Sequence, residues 1–336
     1  MKTNYSKNPE KQPRFMHSYK ELLLDFESQF AEYSPFPQHT QNLYEPCRYL
    51  LEEGGKRIRP ILCLMANELF GEINRDGWQA AYGIELFHNF TLIHDDIMDK
   101  APLRRGRPTI HAKFGLTAGI LCGDVMNIFA YDAFTKLESR LPQVLQVFNK
   151  TAIEVCEGQQ LDMDYESRND VSMDEYLHMI ALKTSVLLAC SLKIGALTGG
   201  SVGNNADKLY DFGRNLGIAF QLMDDYLDAF GDSGKTGKQT GGDILSNKKT
   251  YLLIKAQENA DAAQKIDINN LLLADGANKI EKMLTLYKST GADKACLDAI
   301  AEYSNLAFAC FEEVAIPSKR KKPLFELAEF LLKRDK

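Results

Sequence analysis

Glu85-Leu86-Phe87-His88-Asn89-Phe90-Thr91-Leu92-Ile93-His94-Asp95-Asp96-Ile97-Met98-Asp99 is an apolar run of helical period that ends on three aspartates. On a helix, residues i and i+4 share a face and i+1 lies about 100° round. Asp95 and Asp99 therefore stack, with Asp96 beside them, and His88 and Thr91 continue the same face. A second copy of the spacing stands at Phe220-Gln221-Leu222-Met223-Asp224-Asp225-Tyr226-Leu227-Asp228. Acids crowded at a helix C-terminus oppose the macrodipole, and burying them without compensation is costly. One such cluster alone reads most simply as a solvated helix end balanced by Arg104, Arg105 and Arg107. Two clusters, each in an apolar helix, point to facing walls of an all-oxygen site for divalent cations.

Outward from these stretches, the 3.6-residue period continues over Tyr19 to Tyr33, Thr40 to Glu53, Arg59 to Phe70, Gly77 to Asp99, Thr117 to Ser139 and Gln143 to Asp164. It resumes over Met173 to Thr198, Asn205 to Phe230, Thr250 to Gln257 and shorter pieces beyond. Breaks fall at Gly54-Gly55, Pro102 to Thr109, Leu141-Pro142, Gly199 to Asn205 and Gly231 to Gly242. No alternating strand of useful length is present, so the expected fold is all-α. Pro60 sits in a first turn, and Ser172 or Asp170 can cap the helix that carries Asp174 and Glu175. Residues 1–17 are expected to form a loose polar tail and 18–336 a single helical domain, because no Pro/Ser-rich linker interrupts the interior.

The 336 residues are 45% hydrophobic and 26% charged, an ordinary balance for a globular protein. A net charge of −6 with scattered bases argues against nucleic-acid binding. Seven cysteines without a C-x-x-C pair suit a reducing cytoplasmic setting. Met1 to Arg14 lacks the apolar core of a secretory signal. Ser185 to Gly199, the best candidate span, contains Lys193 and falls short of a membrane's thickness, so no transmembrane segment is expected.

Mg2+ usually binds one or two carboxylates together with substrate phosphates. Aspartate walls therefore imply a phosphorylated substrate, and bases should wait where its other oxygens lie. They occur at Gly54-Gly55-Lys56-Arg57-Ile58-Arg59-Pro60, Arg104-Arg105, Lys183-Thr184, Lys238 and Asn247-Lys248-Lys249. The first group alone could be a basic surface turn, and His88 alone a satisfied core histidine. Lys183 is harder to dismiss, since a lysine in an apolar helix needs an anion when buried. Gly234-Lys235-Thr236 mimics the end of a phosphate loop, but Ala229 replaces the required glycine and a helix precedes it. A lid over bound phosphates suits that glycine-rich segment better. No nucleophilic triad or zinc spacing emerges, which leaves the chemistry to metal and phosphate.

Together, the two Asp-Asp-x-x-Asp motifs, Gly-Gly-Lys-Arg, Arg-Arg-Gly, Lys183-Thr184 and Phe220-Gln221 resemble the trans-isoprenyl diphosphate synthases. The resemblance spans residues of roughly 54 to 249. It implies an isoprenoid-synthase bundle around a deep cavity, a homodimer, and Mg2+ as cofactor, three ions with Mn2+ as a substitute. By resemblance, Asp95, Asp99 and Asp224 bind the metal directly, with Asp96, Asp225 and Asp228 as further or outer ligands. Arg104, Lys183, Lys238 and Lys248 would grip the allylic diphosphate, assisted by Gln221 and Thr184. Lys56, Arg59, His88 and Arg105 would hold isopentenyl diphosphate, joined by Arg334. The reaction implied is ionisation of the allylic diphosphate and capture of the carbocation by the isopentenyl double bond.

Product length is expected to be set below the first motif. At 1.5 Å per residue, Phe90 lies about 7.5 Å and Phe87 about 12 Å down the helix from Asp95, as a cavity floor. Thr91 leaves the adjacent position open, so the segment is more similar to archaeal C20 synthases than to animal or yeast C15 ones. The expected product is C15 to C20, with C20 favoured; core packing of both phenylalanines is the competing reading. A class I terpene cyclase shares the first motif but carries a different second one, and a non-catalytic subunit generally loses an Asp motif. Both rivals are disfavoured by the intact second triad.

Overall fold

The computed structural model describes residues 16–52, 54–231, 240–274, 276 and 278–333. Its helices are α1 (Tyr19–Tyr33), α2 (Gln41–Leu51), α3 (Ile58–Glu68), α4 (Arg75–Met98), α5 (Ile110–Phe114), α6 (Leu116–Thr135) and α7 (Leu141–Glu166). They continue as α8 (Met173–Ile180), α9 (Val186–Thr198), α10 (Asn205–Phe230), α11 (Gly242–Leu245) and α12 (Tyr251–Asn259). The chain closes with α13 (Ala262–Leu273), α14 (Asn278–Ser289), α15 (Ala292–Glu312) and α16 (Ser318–Leu332). The all-α expectation holds, and the long helices agree with the sequence periods to within a few residues.

Local chemistry explains these limits. Ser18 and Glu21, and again Ser172 and Glu175, form reciprocal capping boxes, while the Asn74 side chain caps α4 by accepting from Gly77 N–H at 2.8 Å. Asp170, the other candidate cap of α8, instead pairs with Arg168. Helix α9 is buried on nearly every side between α3, α7 and α10, and α4 lies along α6. Phe87, Phe134 and Phe148 meet where α4, α6 and α7 converge.

Two local features depart from the sequence reading. The break at Pro102 to Thr109 contains a small hairpin, β1 (Leu103–Arg104) with β2 (Arg107–Pro108), paired Leu103 to Pro108 and Arg104 to Arg107. Its two loop residues, Arg105 and Gly106, have φ of 50° and 80°. Positive φ at both positions is what a two-residue type I′ turn requires. The continuous period over Met173 to Thr198 conceals the second feature, a π turn at Ala181–Ser185.

Met173–Thr198 is long and apolar enough, by length and composition, to cross a bilayer, which the shorter stretch read from sequence was not. Most of it is buried inside the protein, and Lys193 pairs with Asp207 at 2.6 Å. Those are the properties of a core helix.

Candidate active site

The first acidic cluster closes α4, and the hairpin that follows folds back upon it. Asp96 is buried and receives Arg104 in a fork, Nε to Oδ2 at 2.9 Å and Nη2 to Oδ1 at 2.8 Å. Arg105, in the turn itself, reaches elsewhere, and its Nη1 donates to the Gly54 carbonyl at 2.7 Å. The second strand is fastened by Arg107 over the Tyr49 ring, 4.2 Å from its centroid, and by the Tyr49 hydroxyl donating to the Pro108 carbonyl at 3.0 Å. Asp95 is partly buried, and that burial raises its carboxyl above the ordinary range. Lys183 and Arg104 pull it back, while Asp99 and Asp162 push it further up.

The second cluster closes α10. Asp225 is buried and accepts from the Tyr176 hydroxyl, from Gln221 Nε2 at 3.1 Å and from Tyr251 N–H at 3.4 Å. Burial nevertheless lifts its carboxyl to about 7, outweighing the hydrogen bonds from Tyr176 and Gln221. Asp228 Oδ2 accepts from Asp243 N–H at 2.9 Å, which ties the start of α11 to the motif.

Between the clusters stands the π turn. Its wider backbone aims Lys183 at Asp162 of α7, 2.5 Å away, and the Thr184 hydroxyl at the side-chain Oε1 of Gln221 on α10, 3.2 Å away. Two glycines permit the approach: a Cβ on Gly158 would lie 2.3 Å from Lys183 N, and one on Gly217 would lie 2.6 Å from Ser185 Cα. Single π turns inside helices are frequent at functional sites. Lys248 joins the walls electrostatically. Burial works against its charge, but Asp162, Asp243, Asp225 and Asp99 outweigh it and hold its pKa above the ordinary lysine value. One ammonium group thus feels both aspartate clusters.

A cavity of about 740 Å³ opens beside them. Its wall includes Asp224 and Asp228 together with Lys56, Arg59, His88 and Arg105. The Gly54-Gly55-Lys56-Arg57 segment is therefore more than a solvated basic turn. Arg57, held at φ 44°, turns inward and bonds Glu27 at 2.8 Å, Glu85 at 2.6 Å and the Leu51 carbonyl at 3.0 Å. Arg59 donates to His88 Nε2 at 3.0 Å. Burial lowers the Arg59 pKa to about 10, against the opposing pull of Glu85 and Asp95. His88 is driven well below its usual value by burial and by Arg59, Arg104, Arg105 and Arg57, which keeps its ring neutral and able to accept.

The chain-length candidates occupy a different side of α4. Phe87 is buried edge-on against Phe148 with ring centroids 5.0 Å apart, and Phe90 packs edge-on to His94 at 4.9 Å. Thr91 donates its hydroxyl to the His88 carbonyl at 2.7 Å. None of the three lines the cavity described above. Lys238 and the glycine-rich segment around it lie outside the described residues, as does Arg334. Sequence reasoning missed Asp162, Tyr176 and Glu85. Asp162 carried a usable signal, an acid near the end of a long helix with the small residue Gly158 one turn earlier.

Among the described residues, no three acids, histidines or cysteines converge as a ready-made metal cage. The donor set is nonetheless all carboxylate oxygen, the hard ligand that Mg2+ prefers. A cation that takes only one or two carboxylates and completes its shell with phosphate oxygens fits acids spread along a wall.

The family model for polyprenyl synthetase matches residues 40–290. The chain is 39% identical over 304 residues to a geranylgeranyl diphosphate synthase of Methanosarcina mazei, covering 88% of this chain and 90% of that protein. It is 38% identical to a geranylgeranyl diphosphate synthase of Sulfolobus acidocaldarius, covering 88% and 91%. A crystal structure of a geranylgeranyl pyrophosphate synthase superposes with a TM-score of 0.90 at 44% identity, over 96% of this chain and 100% of that one. With two aspartate triads in the chain and a cavity walled by Asp224, Asp228 and the basic loop, this chain belongs to the polyprenyl synthetase family.

Proposed function

We propose that this chain condenses isopentenyl diphosphate with an allylic diphosphate, head to tail, giving an all-trans prenyl diphosphate of C15 to C20 with C20 as the main product. The observation that carries this reading is a cavity walled by Asp224 and Asp228 of the second cluster together with Lys56, Arg59, His88 and Arg105. Relatives named geranylgeranyl diphosphate synthases support the C20 assignment.

In this reading Lys183, Lys248 and Arg104 meet the allylic diphosphate and stabilise the charge that grows as it departs. Arg59, Lys56 and Arg105 hold the second diphosphate, with His88 neutral beside them. Asp95, Asp99 and Asp224 would hold magnesium, on which the family generally depends, as three ions with Asp96, Asp225 and Asp228 behind them; bound there, it would supply further charge to the leaving group. Lys238 would add to the allylic grip. The protein is read as a cytoplasmic homodimer.

The test is turnover of purified protein with isopentenyl and dimethylallyl diphosphates and Mg2+, the dephosphorylated products being sized by chromatography. A C20 alcohol is expected. Asp95→Ala and Asp224→Ala should each lower kcat by about 10²-fold or more, the scale seen when one preorganised charge-stabilising group is lost. Near-wild-type turnover in either variant would contradict the account, and dimethylallyl diphosphate consumed without isopentenyl diphosphate would favour a cyclase.

A further inference from the structure

Glu85 is an acid among cations that no role described so far explains. It lies on α4, one turn before His88, and its side chain is 4% exposed. One carboxylate oxygen, Oε1, takes Arg57 Nη1 at 2.6 Å and Asn89 Nδ2 at 2.9 Å. The other, Oε2, is buried and has no hydrogen-bond partner among the described residues; the same holds for Arg59 Nε. Both residues line the main cavity, together with His88 and Asn89. An unmet acceptor and an unmet donor in one wall are expensive to keep dry, and native proteins seldom retain them without use.

The surrounding charge explains the use. Arg59 bonds His88 at 3.0 Å, and the charges of Arg57, Arg104 and Arg105 also bear on that neutral ring. Like charges drive each other apart unless anions sit among them. Asp96 meets Arg104 and Glu27 meets Arg57 away from the cavity, and Glu85 is the acid of this set that lines the cavity itself. It also fixes the register of α3 on α4: Arg57 bonds Glu85, and two residues later Arg59 bonds His88.

We propose that Glu85 is a positioning residue for the isopentenyl diphosphate pocket: its buried carboxylate, clamped by Arg57 and Asn89, holds the first turn of α3 so that Arg59 and Lys56 face the incoming diphosphate. This rests on the reading that Arg59 and its neighbours hold isopentenyl diphosphate. Glu85 touches no reacting atom and acts through Arg57 and Arg59. Its loss therefore changes the affinity for one substrate and leaves the chemical step alone.

The experiment compares wild type, Glu85→Gln and Asn89→Ala. Binding of isopentenyl diphosphate alone is measured by calorimetry, and KM for each substrate and kcat by steady-state turnover. Glu85→Gln keeps the shape and one acceptor but removes the charge. Expected is a rise of about ten-fold in both the Kd and the KM for isopentenyl diphosphate, with kcat and the allylic KM within about three-fold of wild type. Asn89→Ala loosens the clamp while Arg57 still holds Glu85, and should move the same constants in the same direction by a smaller factor. Should Glu85→Gln fail to fold, Asn89→Ala decides. Unchanged or tighter binding of isopentenyl diphosphate, or an equal fall in every parameter, overturns the proposal. Wild type that binds no isopentenyl diphosphate would instead sink the functional reading beneath it.

Discussion

Asp225 shows how a single carboxylate can belong to a metal motif by spacing and still be occupied by protein. Tyr176, Gln221 and the Tyr251 amide surround it, and burial sets its carboxyl at about 7, well above the ordinary value near 4. The folded state therefore binds that proton more tightly than the unfolded chain. Its contribution to stability is largest below the unfolded value and is lost as pH rises toward 7. In chelator, the Tm of wild type should fall relative to that of Asp225→Asn as pH goes from 5 to 8; a constant difference would show that the carboxylate keeps its ordinary affinity. At this scale the sequence spoke through spacing and need. The paired Asp motifs could be read because three acids repeat at one interval in two apolar helices, and Lys183 because a lysine there requires an anion. That the anion is Asp162, on another helix, is set by packing alone. Glu85 was hidden for the same reason, since its charged partner Arg57 comes from a different element.

Helix α4 carries different tasks on different sides. One side presents Glu85, His88, Asn89 and Leu92 to the cavity, and another sets Phe87 against Phe148 of α7 and Phe90 against His94. Phe87 is fully packed, so trimming it costs core stability, about 3–5 kcal/mol for a buried Phe→Ala change. Phe90 is only partly buried and can be removed at lower cost. If the sequence reading of Phe90 as a floor holds despite its place outside that cavity wall, Phe90→Ala folds and shifts products beyond C20, measured by chromatography of the dephosphorylated alcohols; an unchanged distribution would assign Phe90 to packing only. Helix extents were legible here because period and caps agree. The π turn was not, because Leu182, Lys183 and Thr184 sit in an uninterrupted apolar period, and the widening arises where Gly158 and Gly217 let α7 and α10 press against it. The hairpin was equally silent: its turn is Arg-Gly, without the Asn-Gly or Asp-Gly cue, and its strands are two residues each.

The whole molecule leaves apolar surface on the face where α6 and α7 meet solvent. Leu116, Ile120 and Ile128 repeat at four and eight residues along α6, Leu121 stands beside them, and Ile153 and Met163 are exposed on α7. Ile128 and Ile153 are 65% and 60% exposed. Apolar residues at helical spacing usually seek a partner, and a row of them is the pattern of an interface more than of a solvated face. Fully burying each isoleucine would contribute roughly 1.5–3 kcal/mol, so a few from each copy are enough to offset the entropy of pairing. The class of helical fold could be read from sequence, but which helix faces remain open could not, since α6 carries apolar residues on more than one side and only the packed structure separates those against α4 from those left outside. Light scattering of purified protein is expected to give twice the chain mass, 37.9 kDa, and the double variant Ile128→Asp with Ile153→Asp to give the chain mass with helicity retained. A wild-type monomer, or a double variant that still pairs, would move the interface away from this face and leave the exposed isoleucines without a role in assembly.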